Sequence, residues 1–293
     1  MRPGYVILST MALSVLAAQQ PTFRAESRLV VLNVSVFDAQ GRVVHDLPMS
    51  AFTVYEDGVK QVITSFRQED VPISLGLIID SSASMTNKRD LVASAAVAMV
   101  KASNPEDEVF IINFNEHAVL AREFTNNIGE LENALHGIDS KGETAMRDAL
   151  LLGIEHLRHH ARRDKKVLVV VTDGEDNSSS ETQAHLVETA QKNSVIIYAI
   201  GLLSAEEPQS AARARKQLEE LTEQTGGRAW FPNDVSAISS ITPEIAHEIR
   251  NQYILAYTPS NLATDGTYRR IRVEVNVPGV AVQTRSGYYA QRE

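Results

Sequence analysis

Four apolar runs, at 73–79, 108–114, 167–172 and 195–201, constrain this chain more than any other feature of its 293 residues. A strand wetted on one face alternates polar with apolar residues. A run without alternation must be covered on both faces. Helical patterns fill the intervals, at 88–102, 128–136, 145–160, 182–192 and 211–225, with a further one over 235–250. Strand and helix in alternation predict an α/β fold: a doubly wound, mostly parallel sheet with helices on both faces, joined by right-handed crossovers. The stretch 118–124 follows a strand with no room for a helix, which predicts an antiparallel edge hairpin.

The flanks keep a different rhythm. Val30, Leu32, Val34 and Val36 share one face at period two, and Asp38-Ala39-Gln40-Gly41 is a turn. Glu56-Asp57-Gly58-Val59 is a two-residue hairpin signal between 52–55 and 60–66. Downstream, Ile271, Val273, Val275 and Val277 alternate with Arg270, Arg272, Glu274 and Asn276, and Pro278-Gly279 turns the chain before 280–284. Neither flank offers enough strands to stand alone. The economical reading pairs 24–70 with 253–290 as one small discontinuous β-sandwich, interrupted by the α/β domain at 72–252. Two separate β modules are the alternative.

Arg2 is the only early charge, and 5–18 carries none, ending in Val15-Leu16-Ala17-Ala18. That run is shorter than the roughly 18 residues of a membrane span. Residues 1–20 therefore read as a secretory signal cleaved near 17–20, which predicts an exported protein, periplasmic or extracellular. An uncleaved anchor is the alternative, and the only route to membrane contact. With no cysteine, neither a disulfide framework nor a lipid-modified cysteine is available. A formal net charge of −9 disfavours nucleic acid as a partner, because nonspecific affinity for it comes from clustered Lys and Arg.

The chemistry gathers where strands end. Asp80-Ser81-Ser82-Ala83-Ser84 follows the run at 73–79, Thr172-Asp173-Gly174-Glu175 ends the run at 167–172, and Gly142-Glu143-Thr144 precedes the helix at 145–160. In an open parallel sheet, ligands bind beyond the carboxyl ends of the strands. Asp80, Ser82, Ser84, Thr144 and Asp173 would then offer two carboxylates and three hydroxyls at one rim. Such oxygen donors suit a hard cation, Mg²⁺ first, with Mn²⁺ or Ca²⁺ able to take its place. Neutral hydroxyl ligands leave the ion with residual positive charge, which suits it to accept a carboxylate from another molecule.

Asp80-x-Ser82-x-Ser84, the downstream Gly-x-Thr144 and the strand-terminal Asp173-Gly174 resemble the metal-ion-dependent adhesion site of von Willebrand factor A (VWA) domains, over about 72–252. One departure stands before Thr144, where the commonest family form has two glycines and this chain has Glu143. The resemblance implies that Ser82, Ser84 and, in one state, Thr144 touch the ion, while Asp80 and Asp173 act largely through water. It further implies a non-enzymatic binding module whose ion bridges to an acidic side chain of a protein partner, with no small-molecule substrate. The overall layout, with Phe52-Thr53-Val54-Tyr55-Glu56-Asp57-Gly58, is similar to exported bacterial proteins of acidobacterial type.

Plainer readings stand beside this one. Asp and Ser after a strand are common helix caps, and Asp-Gly is a common turn. A scaffold or assembly factor could bind through the β-sandwich instead. A Mg²⁺-dependent hydrolase would want a second carboxylate two residues after Asp80, where Ser82 stands. The chain has Lys88 and Arg89 nearby, but no Gly-x-Ser-x-Gly elbow or glycine-rich phosphate loop. His156 and His160 have zinc-ligand spacing, with His159 beside them; a solvated basic helix end is the simpler expectation. Glu175 and Asp176 read as an acidic loop rather than a calcium site. Asn33-Val34-Ser35 and Asn177-Ser178-Ser179 match the short glycosylation pattern.

Overall fold

The computed structural model describes residues 29–68, 70–136, 141–203 and 207–291. The signal segment at 1–20 and the first residues of the 24–70 flank lie outside them. The described residues open with β1 (Val30–Phe37), β2 (Phe52–Glu56), β3 (Val59–Gln61) and β4 (Ile63–Arg67). The middle runs β5 (Ile73–Asp80), α1 (Arg89–Lys101), β6 (Glu108–Phe114), β7 (Ala118–Thr125), α2 (Ile128–His136) and α3 (Met146–His160). It continues with β8 (Lys165–Thr172), α4 (Gln183–Lys192), β9 (Val195–Gly201), α5 (Pro208–Thr225), β10 (Ala229–Trp230) and α6 (Ile238–Arg250). The last strands are β11 (Tyr253–Tyr257), β12 (Tyr268–Val275), β13 (Ala281–Gln283) and β14 (Gly287–Tyr289).

The middle strands form a six-stranded sheet in the order β10-β9-β8-β5-β6-β7. All pairs are parallel except β6 with β7, the predicted antiparallel edge. Every residue of β5 and β9 is buried, as unbroken apolar runs require. Leu75, Leu77 and Ile79 of β5 pack with Val92 and Met99 of α1, Leu131 of α2, and Ile245 and Ile249 of α6. On the opposite face Ile78 joins Leu150 and Ile154 of α3, Leu186 of α4, and Leu218 and Leu221 of α5. Gly76 permits this second layer to close: a Cβ there would lie 2.4 Å from Phe110 Cζ and 2.5 Å from Leu168 Cδ2.

Element ends differ from expectation for identifiable reasons. α5 begins at Pro208 rather than 211, because proline at the first helical position gives up an amide that has no intrahelical partner. The helix expected from 235 opens as a 3₁₀ turn over Val235–Ala237 before α6. β8 starts two residues early at Lys165. No helix among the described residues is long and apolar enough to cross a membrane.

Two four-stranded antiparallel sheets, β13-β1-β11-β4 and β14-β12-β2-β3, complete the fold, and each draws strands from both flanks. β1 pairs with β11, Val30 opposite Tyr257, and β2 pairs with β12, Val54 opposite Val273. Separate flank modules are therefore excluded. Leu32, Val34, Tyr253 and Leu255 of one sheet share a single core with Phe52, Val54, Ile271 and Val273 of the other. The stretch 59–66 breaks at Val62, where the chain steps from one sheet to the other. The β2–β3 hairpin has positive φ at both Asp57 (47°) and Gly58 (82°), as a type I′ turn demands.

One polar clasp crosses this apolar sandwich. Glu56 of β2 is 3% exposed, and its Oε2 accepts from Tyr257 Oη at 2.7 Å and Tyr288 Oη at 2.9 Å. Burial, and then the Glu56 carboxylate itself, push the Tyr257 phenol far above its ordinary range. Hydrogen bonds to a charged acceptor are the stronger kind, so Glu56→Gln should weaken the clasp without removing its shape. The expected loss is about 1 kcal/mol, read from the urea midpoint.

Candidate metal centre

β5 and β8 are parallel neighbours, with Ile79 opposite Val171. Asp80 therefore ends one strand beside Thr172, which ends the other. Thr172 Oγ1 donates to Asp80 Oδ2 at 2.6 Å, and the amide of Ser82 donates to Asp80 Oδ1 at 2.8 Å. The chain then turns through a 3₁₀ turn, Ala83–Met85. The Ser82 and Ser84 hydroxyls come within 3.1 Å of each other, and Ser84 Oγ donates to Asp173 Oδ1 at 2.7 Å. Four of the five expected residues thus form one connected set of oxygens.

Thr144 is brought to the same rim by its backbone. Ala83 N–H donates to Gly142 O, Lys141 N–H to Ser81 O, and Ala145 N–H to Asn115 O, binding this loop to the Asp80–Ser84 turn and to the end of β6. Thr144 N–H donates to Asn177 Oδ1 at 2.9 Å, and its carbonyl accepts from the amides of Asn177 and Ser178. Gly142 has φ +77°, and a Cβ there would meet Glu116 Oε2 at 2.8 Å. The second family glycine is not needed: Glu143 is exposed and is not among the residues with positive φ.

Two buried carboxylates set the electrostatics of this rim. Asp80 is 1% exposed and Asp173 8%. Burial raises the Asp80 carboxyl above its ordinary value despite the Thr172 and Ser82 hydrogen bonds, and Asp173 adds repulsion. Lys88, just before α1, places Nζ 2.5 Å from Asp173 Oδ2. Among the described residues, no group of three or more His, Cys, Asp or Glu could hold a metal ion. A cation at this rim would depend on two carboxylates supplemented by hydroxyls, a donor set that fits Mg²⁺ better than zinc.

The other candidates are tied to protein groups. Glu175 accepts from Arg213 Nε at 2.6 Å and from Ser210 Oγ, and Arg213 holds its carboxyl below the usual value. Asp176 accepts the Arg147 amide at 2.7 Å at the start of α3 and the Ser179 hydroxyl at 2.7 Å. These acids brace the loop that carries Asp173. His156 corrects the solvated helix-end expectation. It is 8% exposed, stacked against Phe124 and tilted against Phe110, and burial lowers its pKa. The antiparallel edge strand β7 brings Phe124 over the helix. His159 instead lies exposed, within 2.6 Å of a Glu155 carboxylate oxygen.

Thr172, Lys88, Asp176 and Asn177 also lie at this rim, and the sequence reading did not assign them to it. Thr172 carried a usable signal, being the last strand residue before Asp173. The roles of Asp176 and Asn177 depend on partners about 30 residues away.

Comparison with known proteins agrees with this architecture. Residues 75–175, which contain all five candidates, match the family model for the von Willebrand factor type A domain. That segment is similar to VWA domains. A protein of Synechocystis, sll0103, described as uncharacterized, is 27% identical over 109 residues, which is 36% of this chain and 26% of that one. The chain therefore spans about a quarter of that relative's length.

Among solved structures, a von Willebrand factor type A protein from Catenulispora acidiphila superposes with a TM-score of 0.53 at 12% identity, over 91% of this chain and 75% of the other. Proximal thread matrix protein 1 from the mussel byssus gives 0.51 at 16% identity, over 66% and 49%. A D319A mutant of the PilB minor pilin from Streptococcus sanguinis gives 0.50 at 13% identity, over 63% of each chain. At these identities the likeness is one of fold.

Proposed function

We propose that this protein is a non-catalytic, exported binding module whose rim holds one divalent cation, Mg²⁺ in the first place, and offers it to an acidic side chain of a protein partner. The observation that carries the reading is the pair of buried carboxylates, Asp80 and Asp173, linked through the Ser82 and Ser84 hydroxyls at adjoining strand ends. Ser82, Ser84 and Thr144 would supply neutral oxygens, and Asp80 and Asp173 the negative charge. The ion would supply an electrophilic centre that accepts a carboxylate. VWA domains are in general protein-binding modules, which supports the same reading. Placement in the periplasm or outside the cell rests on the signal-like segment 1–20.

A hydrolase fits less well. Metal-assisted phosphoryl transfer wants a carboxylate nucleophile or base beside the ion, and Ser82 stands two residues after Asp80 where a second carboxylate would be needed. The test is a pull-down from envelope extract, with Mg²⁺ and again with EDTA, using the wild type and Asp173→Ala. Capture of a partner by the wild type only in Mg²⁺ is the expected result. Capture that survives both EDTA and the substitution would move the binding surface to the β-sandwich.

A further inference from the structure

Lys88 reaches the centre from outside the five candidate residues. Its side chain is 24% exposed, whereas the Asp173 side chain it pairs with is 1% exposed. Asp173 is thereby engaged on both oxygens, by the ammonium on Oδ2 and by Ser84 Oγ on Oδ1. Ser84 in turn contacts Ser82. A buried carboxylate without a positive partner is strongly unfavourable, and an ammonium on its own tether meets that demand at high local concentration.

The same ammonium obstructs any other cation. Two positive charges sharing one carboxylate a few ångströms apart repel, and more strongly at a partly buried site than in water. Lys88 also lines a cleft of about 280 Å³ with Leu202, Leu203, Pro232, Asn233, Asp234 and Val235. That cleft gives the flexible side chain somewhere to go, with Asp234 among its lining residues.

We propose that Lys88 is a tethered counter-cation that competes with the divalent ion for Asp173, and that ion binding displaces its ammonium into the adjoining cleft. This rests on the metal reading above. It adds a consequence for regulation: the site is held at reduced ion affinity by its own chain. It also bears on the partner, because the displaced ammonium becomes a second positive charge beside the ion, suited to a segment with more than one acidic group.

The test compares the wild type, Lys88→Met and Lys88→Arg by calorimetric titration with Mg²⁺ and by melting temperature in EDTA. Methionine keeps the length of the stem and removes the charge. Lys88→Met should bind Mg²⁺ about tenfold more tightly, taking the pair as a partly buried one, and should melt lower in EDTA because Asp173 loses its counter-charge. Lys88→Arg should stay near the wild type in both. Equal or weaker Mg²⁺ binding by Lys88→Met, with wild-type binding intact, overturns the competition. Absence of Mg²⁺ binding from all three proteins overturns the metal reading itself, and the competition with it.

Discussion

Asp80→Asn should lower Mg²⁺ affinity by about 100-fold, the upper end of what losing a ligand-orienting group costs, without lowering the melting temperature of the EDTA-treated protein. Two observations separate the effects. Asp80 is 1% exposed, and burial together with Asp173 makes its charge unfavourable where no cation compensates. The amide keeps an oxygen to accept from the Ser82 N–H, while the Thr172 hydroxyl must rotate to accept from the new NH₂ group instead of donating. Reversing that one hydrogen bond costs no more than about 1 kcal/mol, and relief of the buried charge offsets it. Calorimetry with Mg²⁺ and a melt in EDTA check the two halves. Unchanged affinity would place the ion elsewhere.

Glu248→Gln should gain stability relative to the wild type as pH rises. Glu248 lies on α6, 2% exposed, with Oε2 3.8 Å from Arg228 and no hydrogen-bond partner on Oε1. Burial pushes its carboxyl from 4.5 up to about 7. The folded protein therefore keeps a proton that the unfolded chain releases above pH 4.5. The resulting stabilisation is full below 4.5, declines as pH rises towards 7, and is gone above it. That gap corresponds to about 3 kcal/mol.

Lys165 titrates in the opposite sense and in a different window. Burial lowers its ammonium from 10.5 to about 7. Its contribution to stability therefore grows from pH 7 towards 10.5, leaving the range below 7 to Glu248. Glutamine cannot titrate, so the variant should gain on the wild type by about 3 kcal/mol between pH 5 and pH 8. Urea midpoints across that range read the difference, and a constant offset would contradict it.

These two groups show where the chain's logic was hidden. Lys165 Nζ donates to the Ile249 carbonyl at the end of α6, and Gln252 Nε2 donates to Ser35 Oγ and Tyr198 Oη, joining the α/β layer to the sandwich. A lysine at a strand start reads as surface, and nothing local in the sequence says that a helix end will cover it. The same is true of His156, whose neighbour Phe124 comes from an edge strand that only the fold brings near.

What was legible followed from local rules acting over enough residues. β5, β6, β8 and β9 could be read because burial of nearly every residue leaves apolar runs without polar alternation. The period-two flanks could be read, and their joining into mixed sheets followed from the instability of short sheets alone. β10, at two residues, has no period to read. At the rim, Asp80 and Asp173 were legible because each stands at the end of an apolar run. Lys88 was visible but read as a general positive charge, since its contact with Asp173 spans 85 positions.

The central claim is that one divalent ion sits among Asp80, Ser82, Ser84, Thr144 and Asp173. Titrating Mn²⁺ into the isotopically labelled intact protein, and following paramagnetic broadening of its backbone amides, tests this most directly. The account predicts saturation at one ion per chain, with broadening centred on the amides of Ser82, Ser84, Thr144 and Asp173 and reversed by excess Mg²⁺. Broadening centred elsewhere, at the Glu155–His160 end of α3 or over the β-sandwich, or none at all, would contradict it.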